Sequence, residues 1–499
     1  MAATPRPSTM LGRPVRGLCE RLPDARIHGS GDTVVTGITH DSRDVRPGDI
    51  YLARAGEHAH GIDYVRAAVA AGAVAVLTDA ASVAAAVAAG VTVVEVADPR
   101  AAAGPAAAWV YGHPARDLDV IGVTGTNGKT TTAYLLDGGL RAAGRRTGLV
   151  GTVETRIADE VVPSARTTPE ATDLQALFAV MRERGVDAVA MEVSSHALAL
   201  ERVAGTTFAV AAFTNLSQDH LDFHADMDDY FAAKARLFTP SYSARAVVAV
   251  DDEWGRRLVD TATIEVTSVG AAPADWTRVE ESVTATGGRA TLRAPDGGQH
   301  DVDVSLPGRF NVRNASVAYV ALVLAGIEPA VAREGIASVT TIPGRMERID
   351  AGQPFLALVD YAHTPAAVTT LLAEVRGLVG DGRVVVVLGC GGDRDRGKRP
   401  LMGAAAARGA DVAVLTNDNP RSEDPRAILD AMAAGARDAG GTAEIVVEPD
   451  RRRAIAFAVD RSTPGGALVV AGKGHEQGQE QGGVVTPFDD RIVLREALA

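Results

Sequence analysis

The chain has 499 residues, 46% of them apolar and 23% charged, a length above the usual domain of roughly 100–200 residues and a composition that excludes a mostly disordered chain. Lys+Arg 50 against Asp+Glu 63 leaves −13, which excludes a surface built to coat nucleic acid. The two cysteines, Cys19 and Cys390, lie far apart, which argues against a disulfide scaffold or a cysteine zinc site and fits a reducing cytoplasm.

In chain order, Met1–Ser8 lacks the apolar core of a signal peptide and is expected as a frayed tail. Short apolar runs then alternate with alanine-rich helical patterns: Val74–Leu77, Val91–Val96, Val120–Val123, Ala188–Met191, Val247–Val250, Val384–Leu388, Val412–Leu415 and Ala467–Val470. Continuous apolar runs of this length suit parallel strands covered on both faces, and their alternation with helices predicts an α/β architecture. Ala80–Val94 is too short and too weakly apolar to cross a bilayer, so no membrane insertion is expected. Thr277–Val304 alternates polar and apolar around Asp296-Gly297-Gly298 and predicts antiparallel hairpin strands. Breaks at Asp98-Pro99 and at Ile342-Pro343-Gly344-Arg345 divide the chain into three expected domains, 1–98, 99–343 and 344–499.

The sharpest local signal is Val120-Ile-Gly-Val-Thr-Gly-Thr-Asn-Gly-Lys-Thr-Thr-Thr132, a buried strand running into a glycine-rich turn and a helix. Backbone N–H groups of Gly125, Thr126, Asn127 and Gly128, with the helix N-terminus, suit a phosphate; Lys129 adds charge, and Thr130 adds a hydroxyl for Mg²⁺. Val123 stands where the first glycine of that motif falls, and an ordinary strand–helix turn is the alternative. Glu192 ends the run Val186–Ala190 on the crevice side of a parallel sheet, where it suits Mg²⁺ or a plain capped loop. Asp219, His220, Asp222 and His224 are dense enough to permit a metal site. Lys234, taken alone, sits on an amphipathic helix as a snorkelling side chain.

Taken together, Gly125-Thr-Asn-Gly-Lys-Thr130, Glu192-Val-Ser-Ser-His196, Asn215…Asp219-His220 and Ala233-Lys234-Ala235 resemble the Mur ligase family, ATP-dependent amide-forming enzymes of peptidoglycan precursor synthesis. The resemblance runs from Asp41-Ser-Arg43 through Gly308–Ala315, Pro343–Arg348 and Val359–Pro365 to Gly472-Lys-Gly-His-Glu476. It implies a small N-terminal α/β domain for a uridine nucleotide, a central P-loop domain for ATP and a C-terminal Rossmann-like domain for an amino acid. Gly391–Pro400 and Asp418-Asn-Pro-Arg421 look like the members that add 2,6-diaminopimelate to the D-glutamate of UDP-N-acetylmuramoyl-L-alanyl-D-glutamate. Lysine-adding relatives, a folylpolyglutamate-type ligase and a non-ligating P-loop regulator are the competing expectations.

The resemblance also implies roles. Lys129, Thr131, Asn314, Arg345 and Asp360 join the phosphate loop in holding ATP. Thr130 and Glu192 hold one Mg²⁺, and His220 with Lys234, carbamylated by CO₂, holds a second. Ser42 and Arg43 meet the uridine diphosphate; Thr167, Thr168, Ser194 and Arg202 meet the muramoyl-dipeptide. Arg394, Asp418, Asn419, Pro420, Arg421, Gly472 and Glu476 meet diaminopimelate, with Arg421 on the carboxylate that lysine lacks. Leu200 replaces a glutamine contact, and the likeness fades after Glu476. A monomer in the cytoplasm is expected.

Overall fold

The computed structural model describes residues 5–22, 24–56, 59–162 and 166–499. Met1–Thr4, half of the expected tail, lie outside the described residues. The rest is not frayed: Arg6 donates to Asp49 at 2.6 Å, and Ser8 N–H donates to Glu183 at 2.9 Å. A polar segment without an apolar core is here tied down by charge, a signal that composition does not carry.

Three sheets carry the three-domain α/β fold. The N-terminal sheet orders Arg26–His28, Thr92–Glu95, Ala75–Thr78, Asp49–Leu52 and Gly37–Thr39, parallel except for the first strand. The C-terminal sheet orders Glu347–Arg348, Leu356–Asp360, Ala467–Ala471, Val384–Leu388, Val412–Leu415 and Glu444–Val447, again parallel beyond its first strand. Its inner strands are buried throughout, as expected of runs covered on both faces.

The central sheet has 11 strands. Asp119–Thr124 lies between Ala188–Glu192 and Val210–Phe213, parallel to both. The chain therefore leaves this strand on one side and returns on the other, which opens a crevice at its carboxyl end. Trp276–Thr284, Gly287–Arg293 and Gln299–Val304 extend the sheet as the expected antiparallel strands. Helices Lys129–Ala142 and Arg309–Leu324 pack on one face and Ala171–Glu183 on the other. Helix Pro99–Val110, N-capped by Asp98, buries Ala102, Ala103, Ala106, Ala107 and Trp109 in the N-terminal core while packing against Ala171–Glu183. No helix among the described residues is long and apolar enough to cross a membrane.

Candidate active site

The phosphate loop is fixed from its neighbours rather than from within. Gly125 and Gly128 have φ of +150° and +87°, and a Cβ on them would strike Thr214 Oγ1 and Asn314 Oδ1. Thr214 Oγ1 donates to the Asn127 carbonyl at 2.6 Å; Asn215 Nδ2 donates to the same oxygen at 2.9 Å, and Asn215 Oδ1 accepts from Asn127 N–H at 3.0 Å. Thr126 Oγ1 donates to the Ser217 carbonyl at 3.2 Å. The segment just after strand Val210–Phe213 therefore holds the loop open at the crevice.

Two lysines share one carbonyl there. Lys129 Nζ donates to the Gly125 and Thr126 carbonyls at 2.8 and 2.9 Å, and Lys234 Nζ donates to Gly125 O at 2.8 Å. Lys234 does not snorkel: it is 1% exposed and its ammonium lies 4.6 Å from the Tyr230 ring centre. Burial, then the charge of Lys129, holds the Lys234 amine well below the usual lysine range; burial lowers Lys129 too.

Glu192 ends its strand buried, with Oε1 accepting from Thr152 N–H at 2.7 Å and Oε2 from the Thr152 hydroxyl at 3.0 Å. Thr152 Oγ1 also lies 3.0 Å from Thr167 Oγ1. Thr168 Oγ1 donates to the Glu192 carbonyl at 2.9 Å and accepts from Ser194 N–H at 3.1 Å; Ser194 caps helix Ser195–Ala199. Thr167, Thr168 and Ser194 thus gather around Glu192. His220 has φ +55°, and burial pushes its imidazole down to about 4 although Asp219 lies 3.5 Å away. Its ring sits 4.8 Å from that of His196, also held near 4 by burial, which stacks on Phe223 at 4.1 Å. His224 faces away from that role, bonded to Ser195 Oγ and Asp229 at 3.0 and 3.2 Å.

Two further groups of expected residues sit apart from the loop. Arg202 Nε and Arg54 Nη2 reach Glu170 at 2.9 and 3.2 Å, and His40 Nδ1 lies 2.9 Å from Thr172 Oγ1, so the N-terminal and central lobes meet on polar groups. Arg43, 74% exposed, turns back onto Asp41 at 2.6 Å, and Ser42 lies beside it in the same turn.

The hinge joins the glycine-rich loop to the C-terminal lobe directly. Arg345 Nη2 donates to Thr130 Oγ1 at 3.1 Å, its guanidinium lies 4.4 Å from the Tyr361 ring centre, and its Nε is buried without a partner. Asp360 accepts from the N–H groups of Met346 and Ala362, both at 2.8 Å, and burial raises its carboxyl above the usual range. Asn314 Nδ2 donates to Asn311 Oδ1 at 3.3 Å beside Gly128. Gly474, at φ +55°, brings its backbone so close that a Cβ would lie 2.9 Å from Gly344 O. Gly472–Glu476 is thereby seated on the hinge.

The surroundings of the turn Asp418–Arg421 are assembled from four segments. Asn419 Nδ2 donates to Glu476 Oε2 at 2.8 Å, and Lys473, 0% exposed, donates to Asn419 Oδ1 and Glu476 Oε2 at 3.0 and 3.1 Å. Arg421, at φ +52°, donates through Nη1 to the Gly392 carbonyl at 2.7 Å; Arg394 Cγ and Arg421 Nη1 flank Gly391. Arg394 itself is exposed and donates to the Asp393 carbonyl at 3.2 Å. Arg399 grips Glu423 at 2.8 and 3.1 Å, and Asp418 lies under Gly472. The stretch after Glu476, from which nothing was expected, is a hairpin, Gly478–Gln481 with Val484–Pro487. Glu480 N–H donates to Asn419 Oδ1 at 3.0 Å, and Gln479 Nε2 donates to the Asp418 carbonyl at 2.7 Å. Beneath it the buried Arg451–Asp490 pair, at 2.7 Å, also holds the Ala471 carbonyl at 2.9 Å. Thr152, Thr214 and Lys473 had a signal, their position at strand ends or within Gly-Lys-Gly; Glu480 and Arg451 had none.

Among the described residues no group of three His, Cys, Asp or Glu is placed to hold a metal ion. The oxygens and amine gathered at the loop belong instead to Thr130, Glu192 and Lys234.

Family models match in register along the chain: "Mur ligase family, catalytic domain" over 34–111, "Mur ligase middle domain" over 123–322 and "Mur ligase, glutamate ligase domain" over 344–474. The chain belongs to the Mur ligase family. It is 55% identical to the UDP-N-acetylmuramoyl-L-alanyl-D-glutamate–2,6-diaminopimelate ligase of Streptomyces avermitilis, covering 99% of this chain and 98% of that one. With the enzyme of the same name from Corynebacterium glutamicum it shares 48%, over 97% and 95%. A solved structure of a ligase of that name superposes with a TM-score of 0.68 at 31% identity, covering 98% and 99%. MurF of Acinetobacter baumannii, at 19% identity and a TM-score of 0.67 over 93% and 96%, shares the fold.

Proposed function

We propose that this Mur ligase joins 2,6-diaminopimelate to the D-glutamate of UDP-N-acetylmuramoyl-L-alanyl-D-glutamate at the cost of one ATP. What carries the reading is a phosphate loop and an arginine-bearing turn, Asp418–Arg421, joined through Arg345 and the Gly344–Gly474 contact, in a chain closely similar along its length to ligases of that name.

A carboxylate and an amine do not condense unaided in water. The D-glutamate γ-carboxylate takes the γ-phosphoryl of ATP, releasing ADP and leaving an acyl phosphate. The diaminopimelate amine, having lost a proton, attacks the acyl carbon, and phosphate leaves. Lys129 swings from its loop carbonyls to the β- and γ-phosphates, and Arg345 meets the same charge from the hinge. Asn314 and Asp360 border the nucleotide with Gly125–Thr131. Thr167, Thr168, Ser194 and Arg202 take the muramoyl-dipeptide, and Ser42 with Arg43 the uridine diphosphate. Arg421 takes the distal carboxylate of diaminopimelate, with Arg394, Asp418, Asn419, Pro420, Gly472 and Glu476 around it.

The loop residues fit magnesium: Thr130 and Glu192 offer oxygens for one ion, and His220 with carbamylated Lys234 offers a second set. Bound Mg²⁺ supplies charge neutralisation between two anions that repel. The carbamate fits because Lys234 is buried, shares its carbonyl with another cation and has no carboxylate partner among the described residues. Burial and the neighbouring charge of Lys129 favour its uncharged form, the one that adds CO₂. The free Cys19 and Cys390 suit a cytoplasmic enzyme, and one chain supplies all three lobes, so a monomer suffices.

Purified protein given the nucleotide-sugar dipeptide, ATP and a panel of amino acids tests this. The product mass rises by one diaminopimelate residue, with one ADP and one phosphate released. A product lengthened by lysine in preference, or phosphate release indifferent to both co-substrates, sinks the reading. Protein incubated with ¹³CO₂ shows a lysine carbamate resonance that Lys234→Ala lacks.

A further inference from the structure

The hairpin after Glu476 closes on the amino-acid turn through its backbone. Arg421 N–H donates to the Glu480 carbonyl at 3.0 Å, and the Arg421 carbonyl accepts from Gly482 N–H at 2.7 Å. Glu480 N–H holds Asn419 Oδ1 at 3.0 Å. This seats two carboxylates at the two ends of one turn: Glu476 bonded to Asn419, and Glu480 with its Oε2 3.5 Å from Arg421 Nε.

They differ in what already occupies them. Glu476 Oε2 takes two donors, one of them the fully buried Lys473 ammonium, so that oxygen is engaged before any substrate arrives. Glu480 is 41% exposed on its side chain and has a single long contact with Arg421, itself 24% exposed. Of the two, Glu480 is the better placed to receive a further cation.

The distal end of diaminopimelate is a stereocentre carrying a carboxylate, an ammonium and a hydrogen. With the carboxylate on Arg421 and the carbon chain fixed toward the phosphate loop, inverting that centre exchanges ammonium and hydrogen. The ammonium of one isomer then points toward the Asn419 end of the turn, and that of the other toward the Arg421 end. An ammonium aimed at no acceptor is left unpaired, which is where discrimination comes from. We propose that Glu480 is a specificity-determining residue: it receives the distal ammonium of one diaminopimelate stereoisomer, and Glu476 receives that of the other. The proposal rests on the reaction given above and goes beyond it in naming what selects between the LL and meso substrates.

The test compares kcat/KM for the LL and meso isomers, with calorimetric binding of each, in the full chain and in Glu480→Gln. The hairpin is exposed, so this variant keeps the fold. The LL-to-meso ratio shifts by about tenfold, carried by KM and by the binding constants, while the KM for ATP stays put. Glu480→Asp recovers part of the shift, and Glu476→Gln moves the ratio the opposite way. Equal losses for both isomers would show that Glu480 merely props Arg421 and would overturn the proposal; so would an unchanged ratio. A wild-type protein that binds neither isomer yet ligates another amino acid brings down the reaction first, and Glu480's role with it.

Discussion

At the phosphate loop, Lys129 and Lys234 both rest on the carbonyl of Gly125, and neither ammonium touches a carboxylate among the described residues. At the C-terminal turn four cations meet carboxylates, Lys473 at Glu476, Arg421 at Glu480, Arg399 at Glu423 and Arg451 at Asp490, while Arg394 rests on the Asp393 carbonyl. Buried charge without a partner is costly, and a site that keeps it is completed by its ligand. On the proposed reading, the first region is completed by the phosphates of the nucleotide and, at Lys234, by a carbamate. In the second these four cations each meet a carboxylate, which on the proposed reading suits a zwitterion. Substrate charge can thus be inferred from how each site balances its own.

The largest test of that contrast removes a loop cation. Lys129→Ala lowers kcat by about 10³-fold or more, because the transferring phosphoryl loses its nearest fixed charge. Phosphate release measures this; a loss below tenfold would mean that the loop lysine is a bystander.

The two regions also differed in how much the sequence disclosed. The loop is contiguous, so strand, glycines, Lys129 and Thr130 stand together in thirteen residues and could be seen at once. The C-terminal turn draws on Gly391–Arg399, Asp418–Arg421, Gly472–Glu476 and the hairpin, and only tertiary pairing joins them. Glu480 and Gln479 act largely through backbone N–H, backbone carbonyl and amide groups, whose partners are set by register rather than by residue type. The α/β order was legible because each buried strand is a continuous apolar run. Helix Pro99–Val110 packs both in the N-terminal core and against Ala171–Glu183, a sharing that no composition shift marks.

Stability should separate the regions next. Arg451→Met leaves Asp490 charged and unpartnered in the core and costs about 3–5 kcal/mol. Replacing both, Arg451→Met with Asp490→Leu, recovers most of that. Lys234→Met, in contrast, removes a buried amine with no acidic partner and leaves stability unchanged or slightly raised. Urea midpoints check all three. If Lys234→Met were as destabilising as Arg451→Met, the idea of an unmatched loop charge would fail.

A smaller effect, in substrate use, sharpens the C-terminal half. Arg421→Lys keeps the charge but loses the planar fork. KM for diaminopimelate rises by about 10²-fold while KM for ATP holds. Steady-state kinetics with each substrate varied in turn measures it. A parallel rise for ATP would place Arg421 elsewhere in the cycle.

The mildest effect is on protons. His196 and His220 border the unmatched lysines, and burial holds both near 4, below the ordinary 6.5. Their folded values lie under the unfolded one, so between about pH 6.5 and 4 the unfolded chain binds more protons than the folded chain. Stability is therefore present in full above pH 6.5 and declines as the pH falls through that window. Metal-free ADP adds negative charge beside these rings and should raise their titration points; a rise of one unit from 4 lifts the protonated fraction at pH 5.5 from about 3% to about 24%. Diaminopimelate, neutral overall and bound at the matched site, should leave them where they are. Imidazole resonances followed by NMR in histidine-labelled protein read both outcomes. Rings that titrate near 6.5 without ligand, or that move as far with diaminopimelate as with ADP, would mean that the two regions do not differ in charge balance after all.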